Sequence, residues 1–175
     1  MHRNSAFLIL VLVSLALPAA ATSVQGDGFV VQTWQGPKPP DNALRDLQGR
    51  TWRLSDMRGK AVLLNFWASW CEPCRAEMPS LQALQQAHSQ GLVVLAINYR
   101  EAAPAVEVFV QRQGWTLPVV TDPDGALARR WGIGIFPSSV LIDARGRVQA
   151  VVRGEVDWQA QKGAAWMQRW LGAAR

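Results

Sequence analysis

The chain has very little cysteine and histidine: two of each in 175 residues. Both cysteines fall in Trp70-Cys71-Glu72-Pro73-Cys74, and one histidine, His2, sits beside the N-terminus. A structural zinc site needs four ligands, commonly a second Cys pair or a Cys/His set, and the chain has none to offer. No apolar run reaches the ~20 residues of an ordinary spanning helix. No Met-rich or His-rich stretch is available to complete a soft-metal site around the two thiols. The basic residues, among them Arg45, Arg112, Arg130 and Arg153, are scattered and form no stripe, so nucleic acid is not an expected partner. A net charge of +5 leaves only weak attraction to an acidic partner or an anionic membrane surface. There is no internal repeat and no sign of a second domain.

What is present is the pentapeptide itself. Two thiols separated by two residues close into a small disulfide when both sit in the first turn of a helix, where the helix N-terminus favours a thiolate at the first of them. A purely structural disulfide would gain little from so short a loop. The spacing therefore points to a redox dithiol. A buried inert pair and a dithiolate that holds Cu(I) are the competing readings.

Residues 1–21 have the form of a secretory signal: a short polar start with Arg3, an apolar core from Ala6 to Leu17, and small residues after Pro18. The remainder is expected to be exported to a periplasm or equivalent compartment, with an uncleaved anchor as the alternative. Setting the signal aside leaves roughly 150 residues, the size of one domain. Residues 22–42, rich in Gly, Pro and Gln, read as a flexible lead-in without chemistry, and residues 43–175 as the domain.

Within that domain, residues 44–54 alternate around Gln48-Gly49 as a hairpin would. Residues 61–67 and 92–97 are short apolar runs of the kind found in parallel strands covered on both faces. Between them Met78, Leu81 and Leu84 recur at helical spacing, and Pro79 predicts a kink near Arg75-Ala76 instead of a helix end. A second helix is expected over 104–113, a strand over 117–120, a short helix over 126–131 and an antiparallel strand pair over 138–143 and 147–152. Asp157 is expected to cap a last helix with Met167, Trp170, Leu171 and Ala174 on one face.

Several separated pieces are needed together to name a family: Gly59-Lys60; Asn65-Phe66-Trp67-Ala68-Ser69-Trp70-Cys71-Glu72-Pro73-Cys74-Arg75; Glu77 with Pro79; and Phe136-Pro137-Ser138-Ser139-Val140-Leu141-Ile142-Asp143 with Gly146. Spanning Leu44 to about Gly154, they resemble the TlpA/ResA-like thiol:disulfide oxidoreductases of the thioredoxin superfamily. The resemblance implies an α/β thioredoxin-like fold: a central mixed β-sheet flanked by helices, with an N-terminal β-hairpin and a βα insertion.

It also implies the roles. Cys71 is the exposed nucleophile and Cys74, more buried, resolves the mixed disulfide. Pro73 is tolerated in the first helical turn, and Glu72 opposes the dipole by disfavouring the Cys71 thiolate. Glu77, one turn beyond Cys74, is the family's active-site acid and assists Cys74 deprotonation. Ordinary thioredoxins carry a buried Asp where Asn65 stands, and Asn cannot take a proton. Pro137 falls where the superfamily places a cis-proline facing the dithiol, and Trp70 and Phe136 border the substrate groove. Phe136 departs from the smaller or β-branched residue common there. Trp67, Trp158, Trp166 and Trp170 are assigned to packing and His88 to a helix end.

The expected activity is reduction of protein disulfides, in cytochrome c maturation or copper-site assembly, with a membrane electron-donor protein recharging the dithiol. A disulfide-forming oxidase of the same fold is the alternative. No metal and no cofactor beyond the Cys71-Cys74 disulfide is called for, and the chain is expected to be a monomer. A thiol peroxidase would carry a Thr-x-x arrangement before its reactive Cys, where this chain has Ser69 and Trp70.

Overall fold

The run from Ala61 to Trp67, apolar everywhere except Asn65, is a strand buried on both faces. Ala61, Leu63 and Trp67 enter one core cluster, while Val62, Leu64 and Phe66 enter the other. That alternation is what a central strand between two covered faces requires. The computed structural model describes residues 23–25, 28–36, 41, 43–160, 163–164, 167–168 and 170–171. The expected signal segment lies outside these, as do Trp166 and Ala174.

In chain order the elements are β1 (Ser23–Gln25), β2 (Phe29–Thr33), β3 (Leu44–Arg45), β4 (Thr51–Trp52), a 3-10 turn at Leu54–Met57, β5 (Ala61–Trp67) and α1 (Glu72–Ala87). There follow β6 (Leu92–Tyr99), α2 (Ala103–Gln113), β7 (Val119–Asp122), α3 (Ala126–Arg130), β8 (Ser138–Ile142) and β9 (Val148–Gly154). Seven strands form one mixed sheet in the order β1-β2-β9-β8-β5-β6-β7. β5, β6 and β7 are parallel, and β8, β9, β2 and β1 continue antiparallel from β5. Helices α1 and α2 pack on one face through Met78, Leu81, Leu84, Val106 and Val110. The other face is covered by Ala128 of α3 with Trp131 and Met57. Each fully buried large side chain here contributes roughly 1.5–3 kcal/mol.

The lead-in differs from the sequence expectation. Residues 22–42 supply two strands, with β2 pairing along β9 from Phe29 opposite Gly154 to Thr33 opposite Ala150. The physical reason is the unpaired edge that β9 would otherwise present. Val31 is buried beneath it, and Trp34 tilts against Trp131 with ring centroids 5.7 Å apart. The strands approach so closely that a Cβ on Gly154 would run into the Gly28 carbonyl, and Gly154 has a φ of +99°. Glycine is required there on both counts.

β7 begins two residues later than expected, because Pro118 has no N–H to give to a ladder. Its last residue, Asp122, accepts from the N–H groups of Leu127 and Ala128 at 3.0 and 2.8 Å and so anchors the start of α3. The hairpin of β3 and β4 forms as expected but is short. Asp46 ties it through the N–H groups of Gln48 and Arg50 and the Trp52 indole, and bridges to Val120. Helix α1 runs through Pro79 as a single element, with the proline on its exposed side. Asp157 accepts from the N–H groups of Gln159 and Ala160 ahead of the C-terminal helical residues, in which Met167 and Trp170 are buried.

Candidate active site

Strand β5 delivers the chain to the dithiol. Its last residue, Trp67, is wholly buried against Phe109 and Trp115, so the segment that follows leaves the sheet from a fixed point. Cys71 is the N-cap of α1, and its sulfur accepts from the Cys74 backbone N–H at 3.3 Å. Glu72 and Pro73 occupy the exposed first turn, where the missing proline N–H costs nothing. Cys71 and Cys74 are joined as a disulfide with Cα atoms 5.3 Å apart. Cys74 is fully buried and Cys71 is 6% exposed. The order of burial is the expected one, but Cys71 is far less open than an exposed nucleophile. The exposed large apolar side chain of the motif is Trp70, at 64%.

Glu77 shares the buried stripe of α1 with Cys74, Met78, Leu81 and Leu84. It is not a solvated helix residue: only 2% of it is exposed. The Trp158 indole donates to its Oε1 at 2.6 Å, and the Asn65 amide lies 3.4 Å from Oε2. Burial pushes its carboxyl up to about 8, against the opposing pull of the donors from Trp158 and Asn65. Asn65 also donates to the Ser139 hydroxyl at 3.1 Å, linking β5 to β8 two residues beyond Pro137.

The Phe136-Pro137 peptide is cis, and Pro137 is buried. Phe136 meets the dithiol motif through Trp70: their rings pack edge to face with centroids 6.1 Å apart. Tyr99 also packs on Phe136, with ring centroids 4.6 Å apart, and the Arg100 guanidinium sits over the Tyr99 ring at 5.4 Å. Ile135, 57% exposed, extends this apolar surface.

The motif is also held from β6. Glu101 accepts from the Ser69 backbone N–H at 2.7 Å, from the Ser69 hydroxyl, and from the Asn98 amide at 2.7 Å. Arg100, with a φ of +57°, turns the chain just before Glu101. Sequence reasoning missed Glu101, Asn98, Ser139 and the contact of Trp158 with Glu77. None lies near the motif in sequence, and none has a spacing that signals its partner.

Other expectations concern places away from this cluster. His88 caps the C-terminal end of α1, as expected, and lines a surface cavity of about 740 Å³ with Gly59, Ala61 and Leu171. That cavity is at the opposite end of β5 and shares no residue with the dithiol site. Among the described residues no cluster of three or more His, Cys, Asp or Glu could hold a metal ion. No described helix is long and apolar enough to cross a membrane.

Residues 36–151 match the model of the AhpC/TSA family. The thiol-disulfide oxidoreductase ResA of Geobacillus thermodenitrificans is 39% identical over 147 residues, 82% of this chain and 84% of that one. The chain belongs to the AhpC/TSA family, among its ResA-like thiol-disulfide oxidoreductases. ResA of Bacillus subtilis is likewise 39% identical, over 69% of this chain and 68% of its own length. Among solved structures, a Chlorobium tepidum protein assigned as thiol:disulfide interchange protein DsbE is 32% identical, with a TM-score of 0.71 over 80% of this chain and 99% of that one. The pneumococcal exposed lipoprotein thioredoxin Etrx1 from Streptococcus pneumoniae is 29% identical, with a TM-score of 0.65 over 75% and 98%. The fold is thus thioredoxin-like, and the enzyme is a ResA/DsbE-type thiol-disulfide oxidoreductase whose redox group is the Cys-x-x-Cys disulfide.

Proposed function

We propose that the protein is an exported reductant of protein disulfides, in which Cys71 exchanges with the substrate and Glu77 moves the proton of Cys74. The observation that carries this reading is the buried acid of the next helical turn, with its carboxyl pushed up to about 8. A group that titrates this close to neutrality both accepts and returns a proton during turnover, whereas Asn65, in the position of the thioredoxin acid, can do neither.

The reaction balances as follows. The Cys71 thiolate attacks one sulfur of the substrate disulfide, forming a mixed disulfide and releasing the first substrate thiolate. Glu77 takes the Cys74 proton, the Cys74 thiolate attacks Cys71 Sγ, and the second substrate thiolate leaves and is protonated. Counting the proton Cys71 released on ionising and the Cys74 proton that Glu77 passes on to a departing substrate thiolate, the enzyme loses two electrons and two protons and ends as the Cys71-Cys74 disulfide seen here. It is recharged by a dithiol electron donor, for which a membrane protein is the proposed source. Glu72 works against the helix dipole at Cys71, and a thiol whose pKa is kept up belongs to a more reducing couple. Pro73 supports that first turn without demanding a hydrogen bond.

Trp70, Phe136 and Pro137 form the proposed substrate groove. The exposed indole and the ring behind it offer an apolar platform beside the disulfide, suited to the residues flanking a substrate cysteine. A haem-attachment Cys pair in cytochrome c maturation is the leading substrate, and a copper-site Cys pair in an oxidase the second. The direct test is trapping. Cys74→Ser, reduced and mixed with a disulfide-bonded Cys-x-x-Cys-His peptide, should accumulate a mixed disulfide through Cys71. Cys71→Ser should accumulate none. Trapping by neither variant, or by Cys71→Ser instead, would reject the assignment of roles.

A further inference from the structure

We propose that Trp158 is the positioning residue for Glu77: its indole N–H occupies Oε1 and leaves Oε2 as the oxygen that exchanges the proton. This rests on the reading of Glu77 as the acid that serves Cys74. The argument begins with donor chemistry. An indole N–H can only donate, so it holds a lone pair of Oε1 in either protonation state of Glu77. At 2.6 Å it is the shorter of the two side-chain contacts, and both residues are buried. Asn65, at 3.4 Å, is set against Oε2, and its own Oδ1 is a buried atom without a hydrogen-bond partner. Oε2 therefore keeps only the longer contact, from the Asn65 amide donor, and is the more loosely held of the two oxygens, which suits the one that gains and loses a proton.

The indole is not there by chance of packing. The segment after β9 is stapled to α1 through Ser80. Its hydroxyl lies 2.8 Å from the Glu77 carbonyl and 3.3 Å from the Val156 carbonyl, and it accepts from the Trp158 backbone N–H at 3.3 Å. The same turn of α1 that presents Glu77 thus also fixes the backbone that presents Trp158.

The charged group that acts on Glu77 from this segment is Glu155, which disfavours ionisation. The Val156 N–H favours it, as do Trp158 and Asn65. Trp158 is thus the foremost of three donors that hold the carboxylate against both burial and Glu155. A packing residue would fill the same volume without setting that balance.

The test is the pH profile of dithiol oxidation by a small disulfide, for wild type, Trp158→Phe, Glu77→Gln and the double variant. Removing the N–H should move the Glu77 midpoint up by about one pH unit, since a hydrogen bond to a charged group is at stake, and slow the Cys74 step about tenfold at pH 7. In the Glu77→Gln background Trp158→Phe should shift nothing further. In case Trp158→Phe folds poorly, the wild-type indole N–H resonance of Trp158 supplies an independent reading: it should titrate with the Glu77 midpoint and stop moving in Glu77→Gln. A Trp158→Phe profile that coincides with wild type, or an indole resonance that stays flat while Glu77 titrates, overturns the proposal. A Glu77→Gln profile identical to wild type instead rejects the role of Glu77 itself, while the resonance still reports whether Trp158 senses its charge.

Discussion

Glu77 is the residue whose environment differs most from that of an ordinary side chain of its type. Its raised pKa has a consequence for stability, separate from turnover. Above about pH 4.5 the unfolded carboxyl is ionised, while the folded one keeps its proton until about pH 8. The folded state binds more protons across that window, so stability falls as pH rises from about 4.5 to about 8 and levels off beyond. The slope should approach 1.4 kcal/mol per pH unit, roughly, at its steepest. Urea denaturation of the oxidised protein at a series of pH values checks this, and Glu77→Gln should flatten the slope. An unchanged slope would mean that another group titrates there. At this scale the sequence was informative where spacing encodes proximity: Cys71, Cys74 and Glu77 lie on successive turns of one helix. Trp158 was not legible, because it is one of nine tryptophans and its partner is 81 positions away in the chain.

The elements that meet at the dithiol are the N-terminus of α1, the end of β6 and the start of β8. The β6 contribution is a carboxylate clamp: Glu101 holds Ser69, two residues before Cys71, by backbone and hydroxyl. Glu101→Ala should cost about 1–3 kcal/mol, because it strands a backbone N–H and the Asn98 amide. The Ser69 amide should exchange with solvent faster than in wild type, while the amides of β5 stay protected. Equal exchange at Ser69 in both proteins would show that the clamp does not hold the loop. The β8 contribution is the aromatic platform. Phe136→Ala leaves Trp70 without its edge-to-face partner and should weaken kcat/KM for an apolar-flanked peptide disulfide about tenfold. Reduction of a small disulfide that makes no use of the groove should change little. The strands and helices of the interior followed from apolar periodicity, since their hydrophobic faces are set by the two-sided sheet. The strand at Phe29–Thr33 was hidden because Gly and Pro around it dominate the local composition, whereas its real determinant is the distant edge of β9.

For the molecule as a whole, the sheet separates two ends. The dithiol, the cis-proline and Glu101 gather at the end where β5 and β6 finish, and the cavity beside His88 lies where β5 begins. The resemblance in sequence foresaw this arrangement because its motifs fall on elements that the topology brings together. It could not foresee that Cys71 would be nearly closed off, at 6% exposed. The proposed reducing direction is a property of the whole couple, in which Glu72 at the helix start, Glu77 below it, and the burial of both sulfurs are proposed to act together on the balance between dithiol and disulfide. The equilibrium potential of the Cys71/Cys74 pair against glutathione measures that balance directly. A reductant should fall near the thioredoxin value of ~−270 mV, and a potential near the ~−120 mV of DsbA would contradict the account.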